Sequence, residues 1–109
     1  MIRILAMAMV LTVWSQAALA LDPSAQRGFT FVKTNCFKCH AIGHVGDSPL
    51  AIAPPFRTLH LRYPVEDLQE SLAEGIVTGH PTMPAFTLDA AQIDDVIAYL
   101  KTLEKPGDE

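Results

Sequence analysis

The sequence predicts an all-α fold, and three observations support this prediction. Apolar residues near the carboxyl end recur at helical spacing, helix-start and helix-stop residues flank three segments, and no segment alternates as a strand would. The chain has 109 residues, and we expect the first 20 to be a removable leader. The remaining 89 residues form one small domain, of a size that usually needs a disulfide, metal or cofactor for stability.

The first helix is predicted over Ser24 to Thr34. Asp22 precedes it, and Pro23 suits the first turn of a helix because its missing N–H has no intrahelical partner there. Gly28 lies in the middle, where glycine costs about 1 kcal/mol relative to alanine. Gly28 is therefore either a tolerated weak point or the place where another helix backbone comes close.

The middle of the chain is predicted to be a loop over residues 41–55, followed by a second helix. Glycines and prolines interrupt the loop, and no clean hydrophobic period runs through it. The second helix is predicted from Pro64 to Glu74, with Gly75 ending it. The apolar residues in and next to the loop cannot all face solvent, so we expect them to cover a flat apolar cofactor; they are Ile42, Val45, Leu50, Ile52 and Phe56.

The last helix is predicted from about Asp89 to Leu103. Asp89 and Gln92 have the spacing of a capping box, with aspartate in the place of the usual serine or threonine. One apolar stripe follows at helical spacing, with Tyr99 beside it; it consists of Ile93, Val96, Ile97, Leu100 and Leu103.

The chemistry of the chain centres on Cys36-Phe37-Lys38-Cys39-His40. Cys-x-x-Cys-His is the signature of covalent haem attachment. Two thiols at this spacing can reach the two vinyl groups on one haem edge, and His40 can then present an imidazole nitrogen to the iron. Cys36 and Cys39 are the only cysteines in the chain, so neither has another partner within it.

Three other interpretations of the cysteine pair remain open at this point. A thioredoxin-like dithiol needs a βαβ context and a lowered thiol pKa. A zinc site needs a second pair of ligands, and the four histidines do not supply one with suitable spacing. A structural disulfide between Cys36 and Cys39 would close a very short loop and stabilise little.

A haem held by His40 has a second axial position, and Met83 is the main candidate for it. Met83 is the only methionine after residue 20, and Pro81 and Pro84 restrict the backbone on both sides of it. A thioether ligand favours ferrous iron and raises the reduction potential. The alternatives are that Met83 fills the core, as methionine often does, or that His80 is the second ligand.

The amino-terminal segment predicts export. The pattern is that of a secretory signal peptide cut after Ala20: Arg3, then an apolar run over residues 4–14, then an Ala-x-Ala ending. The apolar run is shorter than the roughly 20 residues that a spanning helix needs. An uncleaved anchor is the alternative. Since c-type haem is attached outside the cytoplasm, we expect the mature protein in the periplasm. It has a formal charge of −5, because the leader removes one arginine and no acid from a chain of −4; this argues against a nucleic-acid partner.

Four motifs in the right order resemble those of class I c-type cytochromes. Gly28 matches the glycine eight residues before the first cysteine of that family, and Tyr99 matches its contact residue on the last helix. Ala53-Pro54-Pro55-Phe56 stands where the family has Gly-Pro-x-Leu, with Ala53 in place of glycine. Met83-Pro84-x-Phe86 is similar to the methionine ligand loop of the family. The similarity extends over essentially the whole mature chain.

This resemblance implies a cytochrome c-like fold over residues 21–109, with crossing terminal helices and loops wrapped round one covalent haem c. It implies that His40 and Met83 hold the iron and that the Pro54 carbonyl accepts a hydrogen bond from the His40 imidazole. The expected function is that of a soluble periplasmic one-electron carrier and not an enzyme, acting as a monomer with redox partner proteins and without membrane insertion. The alternatives are a haem subunit dedicated to one oxidoreductase complex, or a gas sensor or peroxidase-like protein with a displaceable sixth ligand.

Overall fold

A computed structural model describes residues 21–76 and 83–105, and within these ranges the chain forms three α-helices and two short 3-10 helices. The α-helices are α1 (Pro23–Asn35), α2 (Leu68–Glu74) and α3 (Ala90–Thr102), and the 3-10 helices are Phe56–Leu61 and Val65–Asp67. These two described ranges contain no strand, and the predicted all-α fold is confirmed. None of the helices found there has both the length and the apolar character needed to cross a membrane.

Helix α1 begins where its capping residues predict. The Asp22 carboxylate accepts a hydrogen bond from the Ala25 N–H at 2.8 Å, and Pro23 occupies the first turn. The buried face consists of Ala25, Gly28 and Val32. Since the exposed face is polar apart from Phe29, α1 is an amphipathic helix that needs a partner along one side.

Helix α3 is that partner, and its start confirms the predicted capping box. The Asp89 carboxylate accepts from the Gln92 N–H at 2.8 Å, while the Gln92 side chain accepts from the Asp89 N–H at 3.1 Å. The apolar stripe faces inward, and Tyr99 is buried with it. Together these side chains form most of the core on the α3 side.

The two helices cross at Gly28. A Cβ atom at this position would lie 1.9 Å from the backbone oxygen of Asp95 and 2.9 Å from the Tyr99 Cβ. Only a residue without a side chain allows the helices to come this close. Of the two sequence interpretations of Gly28, the close approach is therefore correct and the tolerated weak point is wrong.

Asp95 on α3 links the two helices by hydrogen bonds to α1. Its carboxylate accepts from the Ser24 hydroxyl at 2.7 Å and from Arg27 Nε and Nη2 at 2.9 and 3.0 Å. The Arg27 guanidinium, followed by the Ser24 hydroxyl, holds the pKa of the Asp95 carboxyl below its ordinary value of 3.8. Because the folded state releases this proton more readily, the link stabilises the fold above that value and is lost as the pH falls through the lower, folded pKa.

We therefore expect the melting temperature to fall between pH 5 and pH 2, in part through Asp95. An Asp95→Asn variant should have a lower melting temperature at pH 6 and a smaller decrease on acidification than the unaltered protein. Asp94→Asn, which removes the exposed neighbouring carboxylate, is the control and should keep the original pH dependence. Equal pH profiles for Asp95→Asn and the unaltered protein would contradict the assignment.

The segment between the loop and α2 differs from the prediction in two ways. The 3-10 helix Phe56–Leu61 was not predicted, and the predicted helix over Pro64–Glu74 is divided into a 3-10 turn and the short α2. Neither Pro55 nor Pro64 makes a side-chain cap, and each precedes a tight turn instead of a long helix. Gly75 ends α2 as predicted, with a φ of 94° that favours glycine.

Candidate cofactor site

The Cys-x-x-Cys-His residues lie on one helical turn that continues from α1. The N–H groups of Cys36 and Phe37 both donate to the Val32 carbonyl, at 2.8 and 3.0 Å. The N–H groups of Cys39 and His40 in turn donate to the Cys36 carbonyl, at 3.2 and 3.0 Å. The end of α1 thereby places two sulfur atoms and one imidazole at the wall of a single cavity.

The imidazole of His40 is oriented by a backbone carbonyl. His40 Nδ1 lies 2.8 Å from the oxygen of Pro54. A carbonyl can only accept, so Nδ1 carries the proton and Nε2 keeps the lone pair that a metal requires. The Phe56 ring, with its centroid 4.8 Å from that of His40, packs against the imidazole from one side.

Two backbone hydrogen bonds bring Pro54 to this position. The Leu50 N–H donates to the Cys39 carbonyl at 3.1 Å, and the Phe56 N–H donates to the Ala41 carbonyl at 2.9 Å. They fasten residues 50–56 alongside the attachment turn, with the Pro54 carbonyl between them. The alanine at position 53 is buried, so this chain makes the connection without the glycine of the related motif.

A largely apolar cavity of about 280 Å³ lies against these residues. The five residues that the family resemblance assigns to the haem all line it: Cys36, Cys39, His40, Pro54 and Met83. The rest of the wall is mainly hydrocarbon from all three helices and the loops, including Phe31, Val32, Leu50, Ile52, Phe56, Leu59, Leu68, Leu72, Phe86, Leu88, Val96 and Leu100. A flat apolar macrocycle with two thioether bonds and one imidazole ligand fits this donor set and this lining.

Met83 stands on the cavity wall together with Pro84 and Phe86. The segment that follows is anchored to α2, because the Leu88 N–H donates to the Leu72 carbonyl at 2.9 Å and both side chains are buried. The rival ligand His80 lies outside the described residues. His44 and His60 do not line the cavity.

The structure also bears on the other interpretations of the cysteine pair. No disulfide joins Cys36 and Cys39. Burial, and to a smaller extent the neighbouring Cys39, raises the pKa of the Cys36 thiol to about 11, opposite to what a thioredoxin-like nucleophile needs. Over residues 21–76 and 83–105, no three His, Cys, Asp or Glu side chains converge as a metal cluster would require.

The apolar loop residues were only partly assigned correctly from the sequence. Leu50, Ile52 and Phe56 line the cavity, and Ile42 lies in the core. Val45 is 84 % exposed, so the prediction that it covers the cofactor was wrong. Tyr63 lines the cavity too, and no motif in the sequence singled it out.

Comparison with known proteins agrees with this site. The sequence profile of the cytochrome c family matches residues 25–104. Cytochrome c-552 of Bradyrhizobium diazoefficiens is 30 % identical over 95 residues, which cover 87 % of this chain and 89 % of that protein. A cytochrome c-553-like protein of Synechocystis is 31 % identical over 88 residues, 78 % of this chain and 74 % of its own length. No solved structure gave a significant match. The chain belongs to the cytochrome c family, and is a haem-based electron-transfer protein that carries covalent haem c.

Proposed function

We propose that this protein is a soluble periplasmic one-electron carrier in which His40 and Met83 are the two axial ligands of a single haem c. The observation that carries the proposal is their placement: an imidazole with a fixed tautomer and a thioether side chain line the same apolar cavity as the two attachment cysteines. A haem held by these residues would supply the redox chemistry, a one-electron change at its iron.

Each protein group has a separate task in this proposal. Cys36 and Cys39 hold the porphyrin by thioether bonds, so the cofactor cannot dissociate. The Pro54 carbonyl keeps the proton on His40 Nδ1 and strengthens the imidazole as a donor. Met83 contributes a soft sulfur that favours ferrous iron and raises the reduction potential. The hydrocarbon lining excludes water, so little has to rearrange when an electron is transferred.

Export and cleavage complete the proposal. Residues 1–20, which lie outside the described structure, carry the features of a signal peptide cut after Ala20. The mature domain over residues 21–109 would then be a periplasmic monomer without membrane insertion. Its partners would be an electron donor and an electron acceptor, both proteins, and its acidic charge does not suit nucleic acid.

Carbon monoxide binding tests the carrier against a sensor with a displaceable ligand. The protein is produced with its own leader in a bacterium that matures c-type cytochromes, and the periplasmic fraction is reduced and exposed to the gas. We expect coloured protein in that fraction, no spectral change with carbon monoxide, and rapid reoxidation by a ferric cytochrome. Fast and complete binding of the gas would contradict the carrier, and protein confined to the membrane fraction would contradict cleavage.

A further inference from the structure

The backbone that follows His40 is fastened at the very next residue, Ala41. The Ala41 N–H donates to the Ser48 hydroxyl oxygen at 3.0 Å, and the Ala41 carbonyl accepts from the Phe56 N–H at 2.9 Å. Ala41 is 6 % exposed, so water has little access to replace either partner. The position of the His40 backbone therefore depends on hydrogen bonds made outside the attachment turn.

The next residue, Ile42, is held by the carboxyl-terminal helix. The Tyr99 hydroxyl donates a hydrogen bond to the Ile42 carbonyl, across 57 positions of sequence. Ile42 is 7 % and Tyr99 4 % exposed. A buried carbonyl without a donor is costly, so loss of this hydroxyl would drive the segment after His40 to rearrange.

The crossing of α1 and α3 keeps the Tyr99 hydroxyl in place. The Tyr99 ring packs on Phe29 with their centroids 5.4 Å apart, and the Tyr99 Cβ stands 2.9 Å from where a Gly28 Cβ would be. Burial raises the pKa of the Tyr99 phenol, so the group remains protonated and able to donate at neutral pH. The helix crossing thereby presents a fixed donor to the residue two places after the histidine.

We propose that Tyr99 is a positioning residue for His40. By holding the Ile42 carbonyl, its hydroxyl fixes the backbone that carries the imidazole and keeps Nδ1 directed at the Pro54 carbonyl. The helix crossing thus acts on the axial ligand and, through the ligand, on the reduction equilibrium of the haem. This inference rests on the proposed role of His40 as a ligand.

A Tyr99→Phe variant of the haem-loaded protein isolates the hydroxyl, because the buried ring is retained. A weaker hydrogen bond from His40 Nδ1 to the Pro54 carbonyl makes the imidazole a weaker electron donor to the iron, which disfavours ferric iron. We expect the equilibrium constant for reduction by a reference couple to rise roughly twofold to fivefold, less than loss of a direct partner of a ligand would cause. In the reduced protein, NMR should show the His40 Nδ1 proton exchanging with deuterium roughly threefold faster or more.

Thr102→Val is the matched control. It removes a hydroxyl that donates to the Tyr99 carbonyl at 2.6 Å, a hydrogen bond made within α3. Each protein is measured at the denaturant concentration that gives it the same free energy of unfolding. Deuterium exchange through global unfolding is then equal in all of them. Thr102→Val should then keep both the reduction constant and the exchange rate of the unaltered protein.

The outcomes separate this inference from the proposed function. A reduction constant and an exchange rate that are the same in Tyr99→Phe and Thr102→Val would overturn the positioning role. If Tyr99→Phe does not take up haem, Phe29→Leu, which removes the ring packed on Tyr99, decides by the same two readouts. Absence of iron-shifted His40 ring signals from the unaltered protein would instead refute His40 as the ligand.

Discussion

Alanine in place of Gly28 should destabilise the folded protein by more than about 3 kcal/mol, beyond the usual cost of an overpacked core. The added methyl group would lie 1.9 Å from the oxygen and 2.6 Å from the carbonyl carbon of Asp95. These are backbone atoms of α3, so no side-chain rotation can relieve the contact. The helices must separate, so the contacts between the buried faces of α1 and α3 are lost.

The sign of this effect is diagnostic, since alanine is intrinsically favoured over glycine within a helix by about 1 kcal/mol. Guanidinium unfolding of the ferric protein measures the change. Gly43→Ala is the control, because a Cβ there meets no atom within 4 Å and the residue does not have a positive φ. A Gly28→Ala protein as stable as the unaltered one would contradict the close helix approach.

Alanine in place of Met83 is expected to change the iron site more than the fold. If Met83 is the ligand we propose, ferrous iron would lose its soft ligand, so the reduction potential should fall by roughly 0.1–0.3 V of the roughly 0.8 V that axial ligands span. The ferrous variant should also bind carbon monoxide readily, because the proposed thioether ligand has been removed. Redox titration and gas binding measure the two effects.

Ile52→Ala is the control for this experiment. Ile52 lines the same cavity and is exposed enough for its truncation to leave no deep void, and it carries no group that can bind iron. Its potential and gas binding should stay near those of the unaltered protein. A Met83→Ala protein with an unchanged visible spectrum would show that another side chain, His80 first among them, is the ligand.

Local signals predicted the helices, whereas the connections between them could not be predicted. The Asp22 cap and the Asp89 capping box operate within a few residues, so the sequence alone locates both helix starts. The 3-10 helix Phe56–Leu61 was missed, and so was the division of the predicted second helix, because proline residues lead into short turns without a hydrophobic period.

In the candidate site, residues within one short motif could be predicted from the sequence, whereas contacts between distant residues could not. A dense motif identified Cys36, Cys39 and His40, whereas the Tyr99 contact with Ile42 joins residues with no shared pattern. The exposure of Val45 could not be predicted either, since an apolar side chain in a loop can face either the cavity or solvent.

The visible and near-infrared spectrum of the exported protein, first ferric and then ferrous, is the most direct test of a covalent haem with His40 and Met83 as iron ligands. With His40 and Met83 as ligands of a covalent haem, we expect a low-spin spectrum in both states and the weak ferric charge-transfer band of sulfur coordination. The colour should remain with the polypeptide after extraction with acid and organic solvent. A high-spin or bis-histidine spectrum would contradict the ligand pair, and extractable haem would contradict attachment at Cys36 and Cys39.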